Sequence, residues 1–161
     1  MAYLENPSES PCFGCGPNHL RGLKLQFEQG MGAGGVPEVR TTFTPKADEV
    51  GWPTLFHHGL HFLVLNEVSY WAALTLTGKV WVLGGPATYS VERLPRVGVP
   101  HLARARIVEQ TPDRLTIRAT SETDRGKPCG SLVAPWRLSS RAAVERARIP
   151  LPDYLLADLG P

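Results

Sequence analysis

Three histidines, His57, His58 and His61, fall within five residues, and an amide and a carboxylate, Asn66 and Glu67, follow close behind. Glu67 is the only carboxylate between Gly51 and Gly78. On this stretch it alone can ionise to a general base, whereas Asn66 can only hydrogen-bond and position a water. His57 and His61 stand at the i, i+4 spacing of some helical zinc sites. Such a site needs a further ligand on the same face, and Glu67, six residues beyond His61, is badly placed to be one. A structural or substrate-contacting role is the stronger reading for these histidines. Near the start, Cys12, Cys15 and His19 form C-x2-C-x3-H, three possible zinc ligands with no obvious fourth, since Cys129 is far along the chain. A packed turn is the stronger reading there and no metal is assigned. A redox role is weaker still, because no βαβ pattern surrounds the pair.

The elements that must position these residues can be read from hydrophobic period. Residues 1–22 are turn-rich and read as a loop segment. In Leu23–Gln29, Leu23, Leu25 and Phe27 alternate with Lys24, Gln26 and Glu28, the period-2 pattern of a strand with one buried face. GMGAGG then turns into a second strand, Val39–Phe43. After the turn-like PKADEVGWP comes a Pro-free stretch, residues 58–76, apolar nearly all round and stopped by Gly78. A helix of that kind must be wrapped on most sides by other structure. Five strand patterns follow, Val80–Leu83, Ala87–Leu94, Leu102–Glu109, Arg114–Glu122 and Gly130–Leu138, separated by GVP, QTPD and TDRGKP, and they predict an antiparallel meander. A short helix over Ser140–Arg148 is capped by Ser139 or Ser140 and stopped by Pro150. The layout is α+β, with one long helix packed on one curved antiparallel sheet of five or six strands.

Composition bounds the rest. A chain of 161 residues with 42% hydrophobic and 20% charged residues can build one globular core without disulfides. A net charge of +2 without a clustered basic patch excludes electrostatic attraction to nucleic acid. The longest apolar run is broken by Asn66 and Glu67 and is too short for a membrane span. No secretory signal pattern is visible and the three cysteines are an odd number, so a reducing cytoplasm is the expected location.

The stretch GWPTLFHHGLHFLVLNEVSYWAA resembles the central-helix segment of the hotdog-fold acyl-CoA thioesterases, in the branch where GWP, three apolar residues, HGG, DE and WAA succeed one another. The matching residues are Gly51, Trp52, Pro53, His57, Gly59, Glu67, Trp71, Ala72 and Ala73. CFGCGPNHLRGLKLQF also resembles that branch's N-terminal C-x-x-C-G segment. The resemblance runs over about residues 12–138 and implies a loop segment at 1–22, a hotdog domain at 23–138 and a tail at 139–161.

It further implies an acyl-CoA thioesterase acting as a homodimer or dimer of dimers. It calls for no cofactor, no nucleic acid and no membrane. Active sites would lie between subunits, one supplying the His-Gly turn and helix N-terminus, the other a carboxylate from its helix. Backbone N–H groups at His58 or Gly59 would hold the thioester oxyanion. Leu60, Phe62, Leu63 and Tyr70 would line the acyl pocket, and Arg93, Arg96, Arg125 and Lys127 would meet the phosphates of coenzyme A.

The carboxylate is where the chain departs from the pattern. Nine residues after His57 stands Asn66; only if the register is taken from His58 does Glu67 fall there. The flanking GWP and WAA favour the first register. So does helix geometry, since Gly59 and Asn66 lie on nearly one face while Glu67 points about 100° away. Loss of the base leaves a noncatalytic acyl-CoA-binding module as the alternative function.

Overall fold

The computed structural model describes residues 2–4, 6 and 9–148. Its organising element is α1 (His58–Thr77). The helix starts where the His57 ring accepts the Gly59 amide and stops at Gly78, whose φ of 67° is left-handed and whose amide reaches back to the Leu74 carbonyl. Glycine adopts that conformation without a Cβ penalty, so the chain can leave the helix sharply. The predicted span ended one residue earlier. As expected of a helix apolar on most sides, α1 buries Val64, Leu65, Val68, Ala72 and Ala73 completely.

Around it runs one antiparallel sheet built from β1 (Ala2–Leu4), β2 (Phe27–Met31), β3 (Pro37–Phe43), β6 (Trp81–Leu83), β7 (Thr88–Val91), β8 (His101–Gln110), β9 (Arg114–Thr123) and β10 (Pro128–Leu138). The order is β1-β2-β3-β8-β9-β10-β6, with β7 also on β10. The helix touches β2, β3, β6, β8, β9 and β10. Six strands about 4.8 Å apart span far more than the ~10 Å width of a helix, so the sheet must curve around it. Alternation sets which face curves inward: Leu115, Ile117 and Ala119 are buried, as are Val39, Thr41 and Phe43. Phe27 stacks on Trp71 at 5.0 Å, tying β2 to the helix.

Four expectations need correction. Residues 1–22 are not loop throughout, because Ala2–Leu4 pairs with Phe27–Gln29. The first predicted strand is displaced: Leu23 to Gln26 carry the right alternation but sit outside the ladder, and the Leu23 and Leu25 amides donate instead to the Phe13 and Gly14 carbonyls. The sheet has eight strands, not five or six. Finally, only β8, β9 and β10 form a meander. β6 and β7 each pair with a different half of β10, at Trp136–Leu138 and Gly130–Val133, because the loop at Gly84–Ala87 breaks what local pattern reads as successive neighbours. The short helix appears as α2 (Arg141–Ala147), with Ser140 Oγ accepting the Ala143 amide. Its predicted stop at Pro150 and the rest of the tail lie outside the described residues.

Candidate functional site

A two-stranded hairpin, β4 (Val50–Trp52) and β5 (Leu55–Phe56), delivers the chain to the start of α1. The hairpin is anchored on both sides of the turn: the Phe56 amide donates to the Pro95 carbonyl, the His57 amide to the Glu49 carbonyl, and Leu55 bridges to Arg96. His57, His58 and Gly59 therefore sit fixed and exposed at the positive end of a twenty-residue helix. The first amides of a helix have no intrahelical acceptor. Here Gly59's already has one, since the His57 Nδ1 takes it at 3.0 Å. His57 and His58 stack ring on ring at 4.7 Å.

One turn further, His61 is fully buried, and both its nitrogens are engaged. The Tyr89 hydroxyl donates to the His58 carbonyl at 3.2 Å and lies 2.8 Å from His61 Nδ1, while Nε2 lies 2.7 Å from Ser121 Oγ. With its hydrogen given to His58, the Tyr89 oxygen accepts the Nδ1 proton, and Nε2 accepts from Ser121. Burial, with His101 nearby, pushes the imidazole down to about 4, so it is neutral. The i, i+4 pair with His57 thus has no free nitrogen on His61 to offer a metal. Tyr89 escaped the sequence reading, because a Tyr inside a strand pattern carries no local mark of a polar role.

Along α1, Phe62, Leu63, Asn66 and Tyr70 are half-buried and follow Gly59 on one stripe, the least covered side of an otherwise buried helix. Leu60, also half-buried, flanks it. The Phe62 ring meets Tyr89 edge-on, and the Tyr70 ring lies against Trp136. The stripe unites five of the residues picked from sequence: Gly59, Phe62, Leu63, Asn66 and Tyr70.

Glu67 is not among them. Its side chain turns into its own chain and packs on the loop carrying Cys12 and Cys15, where it is buried. The Cys12 thiol lies 3.4 Å from Glu67 Oε1, and Oε2 has no hydrogen-bond partner among the described residues. A Cβ on Gly14 would stand 2.4 Å from Glu67 Cγ, so only glycine lets the carboxylate down onto the loop. A hydrogen bond from the Cys15 thiol, with the Cys15 and Gly14 amides, pushes Cys12 down to about 5, while donating that bond, and then burial, pushes Cys15 up. Burial, with Cys12 beside it, pushes Glu67 up to about 7. Tyr70 is raised to about 12 by burial and by the same three groups. His19, the third residue of the C-x2-C-x3-H spacing, is elsewhere: its ring meets Phe13 and accepts the Arg21 amide.

Three of the four cations stand about the β9–β10 turn and the fourth lies against the hairpin before α1. Arg93 Nε donates to the Pro128 carbonyl, which places it beside Lys127 and Arg125 in the β9–β10 turn, and Arg96 adjoins β5. All four are exposed. A separate cleft of about 220 Å3 opens near the helix start between Leu25, Phe43, Phe56 and Val64, and none of the residues given a site role from sequence lines it.

A long helix cradled by one curved antiparallel sheet recurs in solved structures. A thioesterase superfamily protein superposes with a TM-score of 0.68 at 20% identity over 80% of this chain and 60% of its own, so the chain spans less than two thirds of that relative. The PaaI protein of the E. coli phenylacetic acid degradation operon gives 0.60 at 16% identity, over 64% of this chain and 73% of that one. A Streptococcus mutans protein, solved bound to acetyl-CoA, gives 0.62 at 15% identity over 76% and 97% of the two chains. The chain has the hotdog fold. No protein-family model matches it, and no curated protein does. Within the hotdog architecture the stripe of α1 and the exposed His57–Gly59 turn are the open parts of the central helix, and the Cys12–Cys15 loop closes the flank on which Glu67 stands. Among the described residues no helix is long and apolar enough to cross a membrane.

Proposed function

We propose that the protein is an acyl-CoA thioesterase-like hydrolase, acting as a homodimer or dimer of dimers in a reducing cytoplasm. The observation that carries this reading is the stripe on α1. The exposed first residues of a helix and a polar side chain, Asn66, share the half-open face of a hotdog helix. The thioester carbonyl sits at the His58 and Gly59 amides, where the helix dipole stabilises developing negative charge. Asn66 of the partner subunit faces the same carbon and orients a water. Leu60, Phe62, Leu63 and Tyr70 border the acyl group, and Arg93, Arg96, Arg125 and Lys127 receive the phosphates. That a structural neighbour of the same fold was solved bound to acetyl-CoA supports this class of ligand.

Asn66 cannot take a proton. General base catalysis contributes roughly 10²–10⁴-fold, so hydrolysis without it forgoes about 3–5 kcal/mol of barrier lowering and is slow. The burial of Glu67 against Cys12 favours Asn66, not Glu67, as the residue turned toward substrate. The same observation favours a second reading, an acyl-CoA-binding module that does not cleave its ligand. Thiol release from short, long and aromatic acyl-CoAs, measured beside calorimetric binding, separates them. Release above the uncatalysed rate supports the hydrolase, binding without release gives the module, and neither binding nor release removes both.

A further inference from the structure

Two thiols and a carboxylate converge in a pocket that the proposed chemistry leaves unused. Cys12 Sγ, Cys15 Sγ and a Glu67 carboxylate oxygen lie within 4.8 Å of one another. They come from two distant parts of the chain, a turn at residues 12–15 and the middle of α1, so sequence spacing alone could not show the set. The carboxylate is more than nine-tenths buried, and its Oε2 has no hydrogen-bond partner among the described residues. A buried carboxylate oxygen left unpaired is costly, and a cation is the partner that would satisfy it. We propose that Cys12, Cys15 and Glu67 bind a zinc ion that staples the N-terminal loop to the central helix.

The donor set selects the metal. Two thiolates suit a borderline-soft ion, and the carboxylate oxygen argues against copper(I) or an iron–sulfur cluster. With Zn–S about 2.3 Å and Zn–O about 2.0 Å, tetrahedral geometry sets the S···O edge at about 3.5 Å. The Cys12 Sγ to Glu67 Oε1 distance is 3.4 Å. The turn is shaped for thiolates: the Cys15 amide points at Cys12 Sγ from 3.4 Å. It is also held from outside, since the Asn6 side-chain amide donates to the Cys15 and Leu25 carbonyls. Gly14 and Gly16 are required sterically, because a Cβ at either would stand 2.4 Å from Glu67 or from the Ser10 carbonyl. Water fills the fourth coordination position, and Cys12, only half-buried, marks the entry path. Binding displaces to solvent whatever protons the two thiols and the carboxylate still hold and leaves the three deprotonated ligands and Zn²⁺ with a net charge of −1.

The spacing C-x2-C-x3-H points to His19 as the third donor, whereas the fold puts Glu67 there. That difference makes the proposal testable without any activity assay, and it stands independently of the acyl-CoA reading. The full-length protein, purified without chelator, is expected to carry about one zinc per chain by elemental analysis. The metal-free protein titrated with Co²⁺ is expected to develop a thiolate-to-cobalt charge-transfer band. Cys12→Ser and Cys15→Ser abolish the band, Glu67→Gln weakens metal binding by about 10-fold or more, and His19→Ala and Cys129→Ser leave it unchanged. Where a cysteine variant fails to fold, the parent protein still decides the matter: zinc should protect Cys12 and Cys15 from alkylation, mapped by mass spectrometry. A folded parent protein that binds neither Zn²⁺ nor Co²⁺ overturns the site. Loss of binding in His19→Ala with retention in Glu67→Gln overturns the assignment of Glu67.

Discussion

Asn66 and Glu67 are consecutive residues of one helix, yet they occupy opposite kinds of environment. Asn66 lies on a half-open stripe with Gly59 and Tyr70, while Glu67, about 100° round the helix, is sealed under the Cys12–Cys15 loop. The comparison teaches that a residue's chemistry in this fold is set by which flank of the helix a neighbouring loop covers. A carboxylate one position away from the open face is lost to the site, because the loop's thiols and amides claim it.

The largest effect that would sharpen this contrast is a gain. Asn66→Asp places a carboxylate on the open stripe without touching the closed pocket, so thioester hydrolysis should rise by about 10²-fold or more with acyl-CoA affinity little changed. Steady-state kinetics of thiol release checks it, and an unchanged rate would mean that the stripe does not face substrate. Leu65→Ala, on the fully buried side of α1, should cost about 2–5 kcal/mol in urea unfolding, since it leaves a cavity under a curved sheet.

Acid should weaken the helix start through His61. His61 is held neutral, its pKa moved from the ordinary 6.5 to about 4 by burial and by His101, with Tyr89 and Ser121 as its other neighbours. Below 6.5 the unfolded chain binds the extra proton and the folded chain does not. The stabilisation is therefore complete above about pH 6.5 and is lost as pH falls toward 4, a decline on the order of 2–3 kcal/mol. Because Glu67, raised to about 7, titrates in the same range with the opposite sign, the check is the difference in urea midpoint between the parent and His61→Gln, which should shrink as pH falls from 7 to 4.

Gly14→Ala tests the closed pocket directly. The added methyl meets Glu67 at its Cγ and should cost about 1–3 kcal/mol by overpacking. A neutral result would show that Glu67 swings out of the loop freely, which would erase the contrast with Asn66. Smallest is Tyr89→Phe, which removes one hydroxyl from His58 and His61 and should cost about 1 kcal/mol.

The elements that could be read from sequence are those in which a long periodic pattern agrees with its tertiary surroundings. The apolar stretch between His57 and Gly78 is such a case, and so is the alternation Leu115, Ile117, Ala119. Leu23 to Gln26 show the limit: their alternation correctly foretells which side chains are buried, but the backbone bonds go to the Cys loop and not to a strand. The pairing of β6 and β7 with β10 was hidden because period gives no partner. At the site, the shared face of Gly59, Asn66 and Tyr70 follows from helix geometry alone. The destination of Glu67 does not, since Cys12 is 55 residues away and no local pattern links them.

The His57 ring over the Gly59 amide has a thermodynamic consequence for whatever enters there. An incoming carbonyl does not find a vacant donor; it must swap places with an imidazole already seated, so one hydrogen bond is exchanged for another and the net gain in the ground state is small. Discrimination between ligands then shifts away from the reacting group and onto the distal portion of the molecule. A developing oxyanion, a far better acceptor than a neutral carbonyl, would win the contest that the ground-state ligand only ties, so the cap acts as a filter that rewards charge build-up over mere occupancy.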